Sequence, residues 1–205
     1  KVLSDITFQV KPGECVAIAG KNGCGKSTLM QIMAGILKPD GGELCYFGKK
    51  AAYKSSTFRR FCGYVPQENP LMEELTVQDN LKLWGGGHTA NTKELVALFQ
   101  LEDLLQTEVS KLSGGMKRRL SIACALVENP PFLLMDEPTT ALDLYYKESI
   151  HQWMKTYQQK NGIILMTTHD ESEIRNADRC LIMDESKVQE LNAEDNLLKF
   201  SCMSE

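Results

Sequence analysis

The segment 20–27 combines residue types whose spacing suits phosphate binding. Its sequence, Gly-Lys-Asn-Gly-Cys-Gly-Lys-Ser, fits the pattern G-x-x-x-x-G-K-[ST] without a mismatch. The glycines allow backbone N–H groups to converge on phosphate oxygens, and the N-terminus of a following helix adds its positive dipole end. Because a chance match in a chain of this length is roughly a one-in-a-hundred event, the segment predicts a nucleotide-phosphate site.

Individual residues of this loop have predicted roles. Lys26 would reach the β- and γ-phosphates of the nucleotide, and the Ser27 hydroxyl would bind Mg²⁺. A glycine turn that serves only packing is the structural alternative, and the strand–loop–helix context disfavours it. The residues predicted to contact the nucleotide are Gly20, Lys21, Asn22, Gly23, Cys24, Gly25, Lys26, Ser27 and Thr28.

Two adjacent carboxylates supply the second half of such a site. Asp136 closes an apolar run over 132–135 and is followed by Glu137. One carboxylate can hold the metal while its neighbour polarises a water molecule. Since adjacent strand residues point to opposite sides, the pair must lie at the carboxyl end of the strand, where the chain turns. An apolar run followed by Asp is common on its own, but beside the glycine loop it indicates hydrolysis.

Strand and helix patterns alternate along the chain, and they would place these residues at strand ends. Buried strands are predicted over 15–19, 132–136 and 163–168, further strands over 61–65 and 180–183, a half-buried strand over 6–10 and a short strand over 43–47. Helices are predicted over 26–34, 77–84, 93–99, 102–106, 114–127, 144–160 and 171–177. Such alternation favours a mostly parallel sheet that is covered on both faces, an α/β fold.

Four further segments give the chain a specific resemblance. Leu-Ser-Gly-Gly-Met at 112–116 resembles the signature of ABC transporter ATP-binding domains, and Gln67 resembles their Q-loop glutamine. Ala-Leu-Asp at 141–143 is similar to their D-loop, and His169 matches their switch histidine. These motifs follow the family's order and cover nearly the whole chain, from 3 to 191.

The resemblance implies a RecA-like P-loop NTPase core with a mostly parallel sheet, a small antiparallel β-lobe and a helical subdomain inserted after the Q-loop. The whole chain, 1–205, would then be one ABC ATPase domain. Its core would take up about 1–70 and 112–205, and its helical subdomain about 71–111.

The resemblance also implies ATP and Mg²⁺ as cofactors and a head-to-tail dimer with two ATP molecules at the interface. Catalytic roles fall to Glu137, His169, Lys26 and Gln67, and metal binding to Ser27, Gln67 and Asp136. Nucleotide contacts would also come from Ser113, Gly114, Gly115 and Asp143. Ser113 begins a second helix, so one phosphate can lie between two helix N-termini only if two chains meet.

Departures from the family pattern refine the expected partners. Met116 replaces the usual glutamine, and the basic residues and Leu-Ser that follow it resemble ABC-2 exporters and the A-subfamily. The stretch 107–112 lacks the longer glycine-containing loop of fused multidrug exporters. We therefore expect export through a transmembrane permease subunit on a separate chain, and a homo- or heterodimer. The domain would be cytoplasmic and peripheral on the inner face of the cell membrane. No residue is assigned to adenine stacking.

Composition bears on the remaining alternatives. With 23 basic and 27 acidic residues the chain is mildly acidic, so no nucleic-acid partner is expected. This disfavours a non-transport ABC ATPase of DNA repair or translation, and the presence of Glu137 and His169 disfavours a regulatory module that binds ATP without hydrolysing it. The basic run 117–119 and the histidines His88 and His151 are interpreted as solvated surface. None of the seven cysteines forms a CxxC pair, so free thiols are expected.

Overall fold

Strands and helices alternate over the residues that the computed structural model describes, which are 2–85, 92–140, 142–184 and 187–191. The strands are β1 (Cys15–Ala19), β2 (Cys45–Tyr46), β3 (Lys49–Lys50), β4 (Cys62–Val65), β5 (Phe132–Asp136), β6 (Ile163–Thr167), β7 (Arg179–Asp184) and β8 (Lys187–Leu191). The helices are α1 (Lys26–Met33), α2 (Ser56–Phe61), α3 (Val77–Trp84), α4 (Thr92–Leu98), α5 (Gly114–Leu126), α6 (Leu144–Gln159) and α7 (Glu171–Asn176). Two 3-10 turns, Glu102–Leu104 and Val109–Lys111, precede α5.

Six strands form the main sheet, in the order β4-β5-β6-β1-β7-β8. All pairs are parallel except β7 with β8, and β2 and β3 form a separate small antiparallel ladder. Every residue of β1, β5 and β6 is buried, as expected for parallel strands covered on both faces. Neighbouring residues of β1 alternate between the two cores, with Ala17 in one and Val16 and Ile18 in the other. The predicted fold class is confirmed.

The strand order brings the predicted chemistry to one edge of the sheet. The carboxyl ends of β4, β5, β6 and β1 are neighbours, and the parallel register sets Asp136 opposite Thr167. Gln67 follows β4, Glu137 follows β5, His169 follows β6 and the glycine loop follows β1. Ligands of open α/β sheets bind at this edge, so segments far apart in sequence can contribute to one site.

Two predicted strands differ from the structure. Residues 6–10 form no strand, although Ile6, Phe8 and Val10 are half-buried against the core while the residues between them are exposed. Period-two alternation reports which side faces the core, whereas a strand also needs a partner edge for its hydrogen bonds. The strand predicted over 43–47 shortens to β2, and the helix predicted over 102–106 is only a 3-10 turn.

The interpretation of His151 as a surface residue is wrong. The predicted face of α6 is buried at Ile150, Trp153 and Met154, but His151 is only 7% exposed and belongs to that buried face too. It lines a small cavity together with Cys15 and Glu173, since α6 packs closely enough to cover a second row of side chains. His88 lies outside the described residues. No described helix has the length and apolar character that a membrane crossing requires.

Candidate active site

Helix α1 begins with its backbone N–H groups open to a ligand. Its N-cap is Gly25, which offers no side-chain hydrogen bond. By contrast, α3, α5, α6 and α7 each begin with a side chain that accepts a first-turn N–H, from Thr76, Ser113, Asp143 and Asp170 respectively. An uncapped helix start directly after a glycine-rich loop is suited to an anion, because it combines unpaired donors with the positive end of the dipole.

The loop 20–27 surrounds the ammonium group of Lys26. Lys26 is only 7% exposed, and its Nζ donates to the carbonyl oxygens of Gly20 at 2.6 Å and Lys21 at 3.1 Å. An ammonium group has three donors, so one remains for a ligand. Gly20 is required here, because a Cβ at this position would lie 2.4 Å from the carbonyl oxygen of Met183. The buried cation and the open helix start fit a nucleotide phosphate.

Asp136 lies at the end of β5 and is 2% exposed. Its Oδ1 accepts a hydrogen bond from the Thr167 hydroxyl on the neighbouring strand, which fixes the orientation of the carboxylate. Among the described residues, no group of three or more His, Cys, Asp and Glu side chains could form a metal cage. Mg²⁺ does not need one, because it binds through one or two protein oxygens together with substrate phosphates and water. Asp136 and the half-buried Ser27 in the first turn of α1 therefore fit Mg²⁺.

Two of the predicted catalytic side chains contact the carboxylate of Glu137. His169 Nδ1 lies 3.4 Å from its Oε1, and Gln67 Nε2 donates to its Oε2 at 3.2 Å. The Thr140 hydroxyl donates to the same Oε2 at 3.2 Å. Sequence reasoning missed Thr140, whose only signal is a hydroxyl three residues beyond the glutamate. The Glu137 side chain is 12% exposed.

Glu137 has a strained backbone. Its φ of 49° lies in the left-handed region, which is unfavourable for a residue with a Cβ. Its N–H is fixed by the carbonyl and hydroxyl oxygens of Thr167, each at 3.1 Å. Strain of this kind persists only where neighbouring groups over-determine the conformation, and it concentrates at functional sites.

Arg118 and Arg119 are buried, so the interpretation of 117–119 as solvated surface is wrong. Arg118 is 3% exposed, and its guanidinium donates to five backbone carbonyls, those of Pro66, Gln67, Asp136, Glu137 and Pro138. Burial lowers the pKa of Arg118 to about 10, so the group stays charged at neutral pH. Arg119 is 4% exposed. Its guanidinium donates a hydrogen bond to Phe99 O at 2.8 Å and lies over the Tyr146 ring in a cation–π contact.

Comparison with known sequences identifies the family. A sequence model described as ABC transporter matches residues 3–140. The chain belongs to the ABC transporter family. Its relatives include the Nod factor export ATP-binding protein I of Rhizobium etli, 36% identical over 192 residues. The same-named protein of Bradyrhizobium diazoefficiens is 37% identical over 199 residues. These alignments cover 89% and 92% of this chain, which spans 60% and 65% of the length of the two relatives.

Solved structures of ABC proteins share the fold. A dimeric ATP-binding cassette in a post-hydrolysis state, bound to ADP and Pi, superposes with a TM-score of 0.85 at 28% identity, covering 94% of this chain and 91% of that one. A bacterial Atm1-family ABC exporter with ATP bound gives 0.87 at 29% identity, covering 99% of this chain and 38% of that one. The chain is thus an ABC ATP-binding domain.

The two remaining predicted motifs of the ABC pattern lie at helix starts. The Ser113 hydroxyl accepts the N–H of Met116 at 3.3 Å and so caps α5, while Gly114 is exposed and Gly115 half-buried. The Asp143 carboxylate accepts the N–H of Tyr146 at 3.1 Å and so caps α6. In the described part of the chain, neither side chain bonds to the loop 20–28. Ala141 lies outside the described residues.

Proposed function

We propose that this ABC domain binds Mg-ATP between two copies of the cassette and hydrolyses it, which powers export through a separate membrane subunit. The observation that carries the proposal is the convergence of Gln67, Thr140 and His169 on the carboxylate of Glu137. This carboxylate stands on the same sheet edge as the buried ammonium of Lys26. A general base beside a phosphate site is what hydrolysis of a phosphoanhydride requires.

The reaction is an in-line attack of water on the γ-phosphorus, in which the new P–O bond forms as the bond to the bridging β-phosphate oxygen breaks and ADP leaves. Glu137 orients the water and accepts its proton, while Gln67 and Thr140 hold the carboxylate in place. Lys26 and His169 stabilise the negative charge that develops on the phosphoryl oxygens. Ser27, Asp136 and Gln67 would hold Mg²⁺ through oxygen ligands, and the bound ion would neutralise phosphate charge.

The dimer and the membrane partner complete the proposal. Ser113, Gly114 and Gly115 of one protomer contact the γ-phosphate held by its partner, and Asp143 lies at the same interface. The two protomers are identical or different copies of the cassette. The helical subdomain, about 71–111, faces the membrane subunit, and exposed apolar side chains support this: Met72, Leu75, Leu83 and Trp84. The domain would thus be cytoplasmic, held at the inner face of the cell membrane.

Replacement of the proposed base tests hydrolysis directly. Glu137→Gln keeps the shape and the hydrogen-bond partners but cannot accept the proton, so turnover should fall by about 10²–10⁴-fold while ATP binding remains. Size-exclusion chromatography with Mg-ATP should then show an accumulated dimer. Glu128→Gln changes an exposed glutamate after α5 and should leave turnover unchanged. Normal hydrolysis by Glu137→Gln would contradict the assignment.

A further inference from the structure

The buried guanidinium of Arg118 joins two segments of the site through the backbone alone. It reaches the loop after β4 at Pro66 and Gln67, and the turn after β5 at Asp136, Glu137 and Pro138. The bonds to Asp136 O, Glu137 O and Pro138 O measure 2.7, 2.9 and 2.9 Å. No carboxylate forms a salt bridge with Arg118 in the described ranges, so its direct hydrogen-bond partners there are backbone carbonyls, while the nearby charges of Asp136, Glu173 and Glu137 also favour the charged guanidinium.

The carbonyls of Asp136, Glu137 and Pro138 belong to, and lie on either side of, a residue of the site with a strained backbone. Glu137 has a φ of 49° and is followed by Pro138, and the residue before a proline is itself restricted in conformation. Thr167 fixes the N–H of Glu137, while Arg118 fixes its carbonyl and those on either side. Without the guanidinium, the turn could relax and carry the carboxylate away from Gln67 and His169.

Arg118 also stands on the helix that begins at Ser113. Helix α5 is mostly buried, and Arg118 connects it to the turn that holds Glu137. We propose that Arg118 is a positioning residue. It fixes the positions of Glu137 and Gln67 and couples them to the position of helix α5. The inference rests on the proposed function, in which Ser113 contacts the ATP of the partner protomer. Hydrolysis of the ATP held by one protomer then depends on how Ser113 of that same protomer contacts the ATP held by its partner.

Kinetics of Arg118→Met in the intact protein test the proposal, with Arg119→Met as the matched control. Both variants lose a buried guanidinium from the same helix, but Arg119 bonds to Phe99 and Gln100, away from the site. We expect Arg118→Met to lower kcat by about 10–100-fold with little change in KM for ATP, since a displaced catalytic group costs rate. Arg119→Met should keep kcat within about twofold of the wild type, because its target carbonyls carry no proposed role in the chemistry.

A double-mutant cycle separates positioning from general damage. In the Glu137→Gln background, Arg118→Met should lower the residual single-turnover rate by a smaller factor than it lowers the wild-type rate, because one of the two groups that it positions is already disabled. If Arg118→Met does not fold, Arg118→Lys replaces it in both experiments. Lysine keeps the charge but cannot span five carbonyls, so kcat should again fall by about tenfold.

Three outcomes would overturn the inference. They are equal kcat for Arg118→Met and Arg119→Met, wild-type kcat for Arg118→Lys, or a full additional loss in the Glu137→Gln background. A wild-type protein without ATPase activity would overturn the proposed function and this inference together. A wild type that hydrolyses ATP, with an Arg118→Met variant that behaves like its control, would overturn this inference alone.

Discussion

At the scale of single residues, Cys24 places a thiol that a reagent can modify within the loop 20–27. It lies two residues before Lys26 and is half-buried. Its Sγ approaches the loop backbone so closely that a Cβ on Gly20 would lie 3.0 Å from it. An adduct on this thiol would therefore displace the loop backbone to which the proposed function assigns the nucleotide phosphates.

We expect a maleimide reagent to modify Cys24 and abolish ATPase activity, and bound Mg-ATP to protect it. The buried thiols should react slowly, because burial raises the pKa of Cys15, that of Cys124 to about 12 and that of Cys180 to about 11. Peptide mapping after brief labelling, with and without Mg-ATP, measures the effect.

Cys45 is the internal control for this labelling. It is exposed on β2, so it should react at the same rate with and without nucleotide. Cys24→Ala should stay active and lose its sensitivity to the reagent. Equal labelling of Cys24 in both conditions, or inhibition that survives in Cys24→Ala, would refute the prediction.

Motifs predicted the residues that are proposed to bind the phosphates, but not Arg118, which is proposed to hold part of the site in position. Lys26, Asp136 and Glu137 stand in patterns whose chemistry is local, so the sequence was sufficient to predict them. Arg118 is different, because charged side chains are mostly exposed and its five acceptors come from segments far apart in the chain. Only the folded sheet brings those carbonyls together.

At the scale of elements, α6, β1 and α7 together line a small cavity that contains buried polar groups. His151 Nε2 and Glu173 Oε1 both lack a hydrogen-bond partner within the described structure, and both side chains line this cavity with Cys15. Burial lowers the pKa of His151, helped by Lys147 and Lys155 and opposed by Glu148 and Asp170. Burial also raises the pKa of Glu173.

The His151 shift predicts how stability depends on pH. Its folded pKa lies below the unfolded value of 6.5, so the unfolded chain binds the proton more readily and stability falls as pH drops from 6.5 through the folded pKa. Urea unfolding between pH 5 and 8 should therefore show a smaller loss on acidification for His151→Gln than for the wild type. Glu173→Gln should behave in the opposite sense, gaining stability relative to the wild type as pH rises above 4.5. Parallel curves for His151→Gln and the wild type would contradict this prediction.

The periodicity of a segment predicted its buried side better than its hydrogen bonding. The face of α6 was predicted correctly at Ile150, Trp153 and Met154, and the half-buried side of 6–10 was correct as well. The strand at 6–10 was wrong because pairing depends on a neighbour that the pattern does not contain. Strand β8 was missed for a related reason: its antiparallel pairing with β7 supports a mostly polar edge sequence.

At the scale of the whole molecule, the sheet brings together the loop and the catalytic residues of the proposed site. The Ser113 segment, which the site also needs, lies at the start of α5 instead. The glycine loop, Asp136, Glu137 and His169 all lie at the ends of the adjacent strands β1, β5 and β6. Ser113 instead caps α5 and bonds only within that helix in the described part of the chain. If two chains meet head to tail, each can supply the missing half of its partner's site.

Mixing two inactive variants tests that shared site. Ser113→Arg would set bulk and charge against the partner's γ-phosphate but leave its own loop intact, whereas Lys26→Ala disables its own loop and keeps Ser113. Each homodimer should be inactive. A mixed dimer pairs the intact loop of one chain with the intact Ser113 of the other, so it has one working site. With random assortment of equal amounts, ATPase activity should recover to about one quarter of the wild-type value. Full activity of Ser113→Arg alone, or a mixture no better than its components, would mean that each chain builds its site without the other.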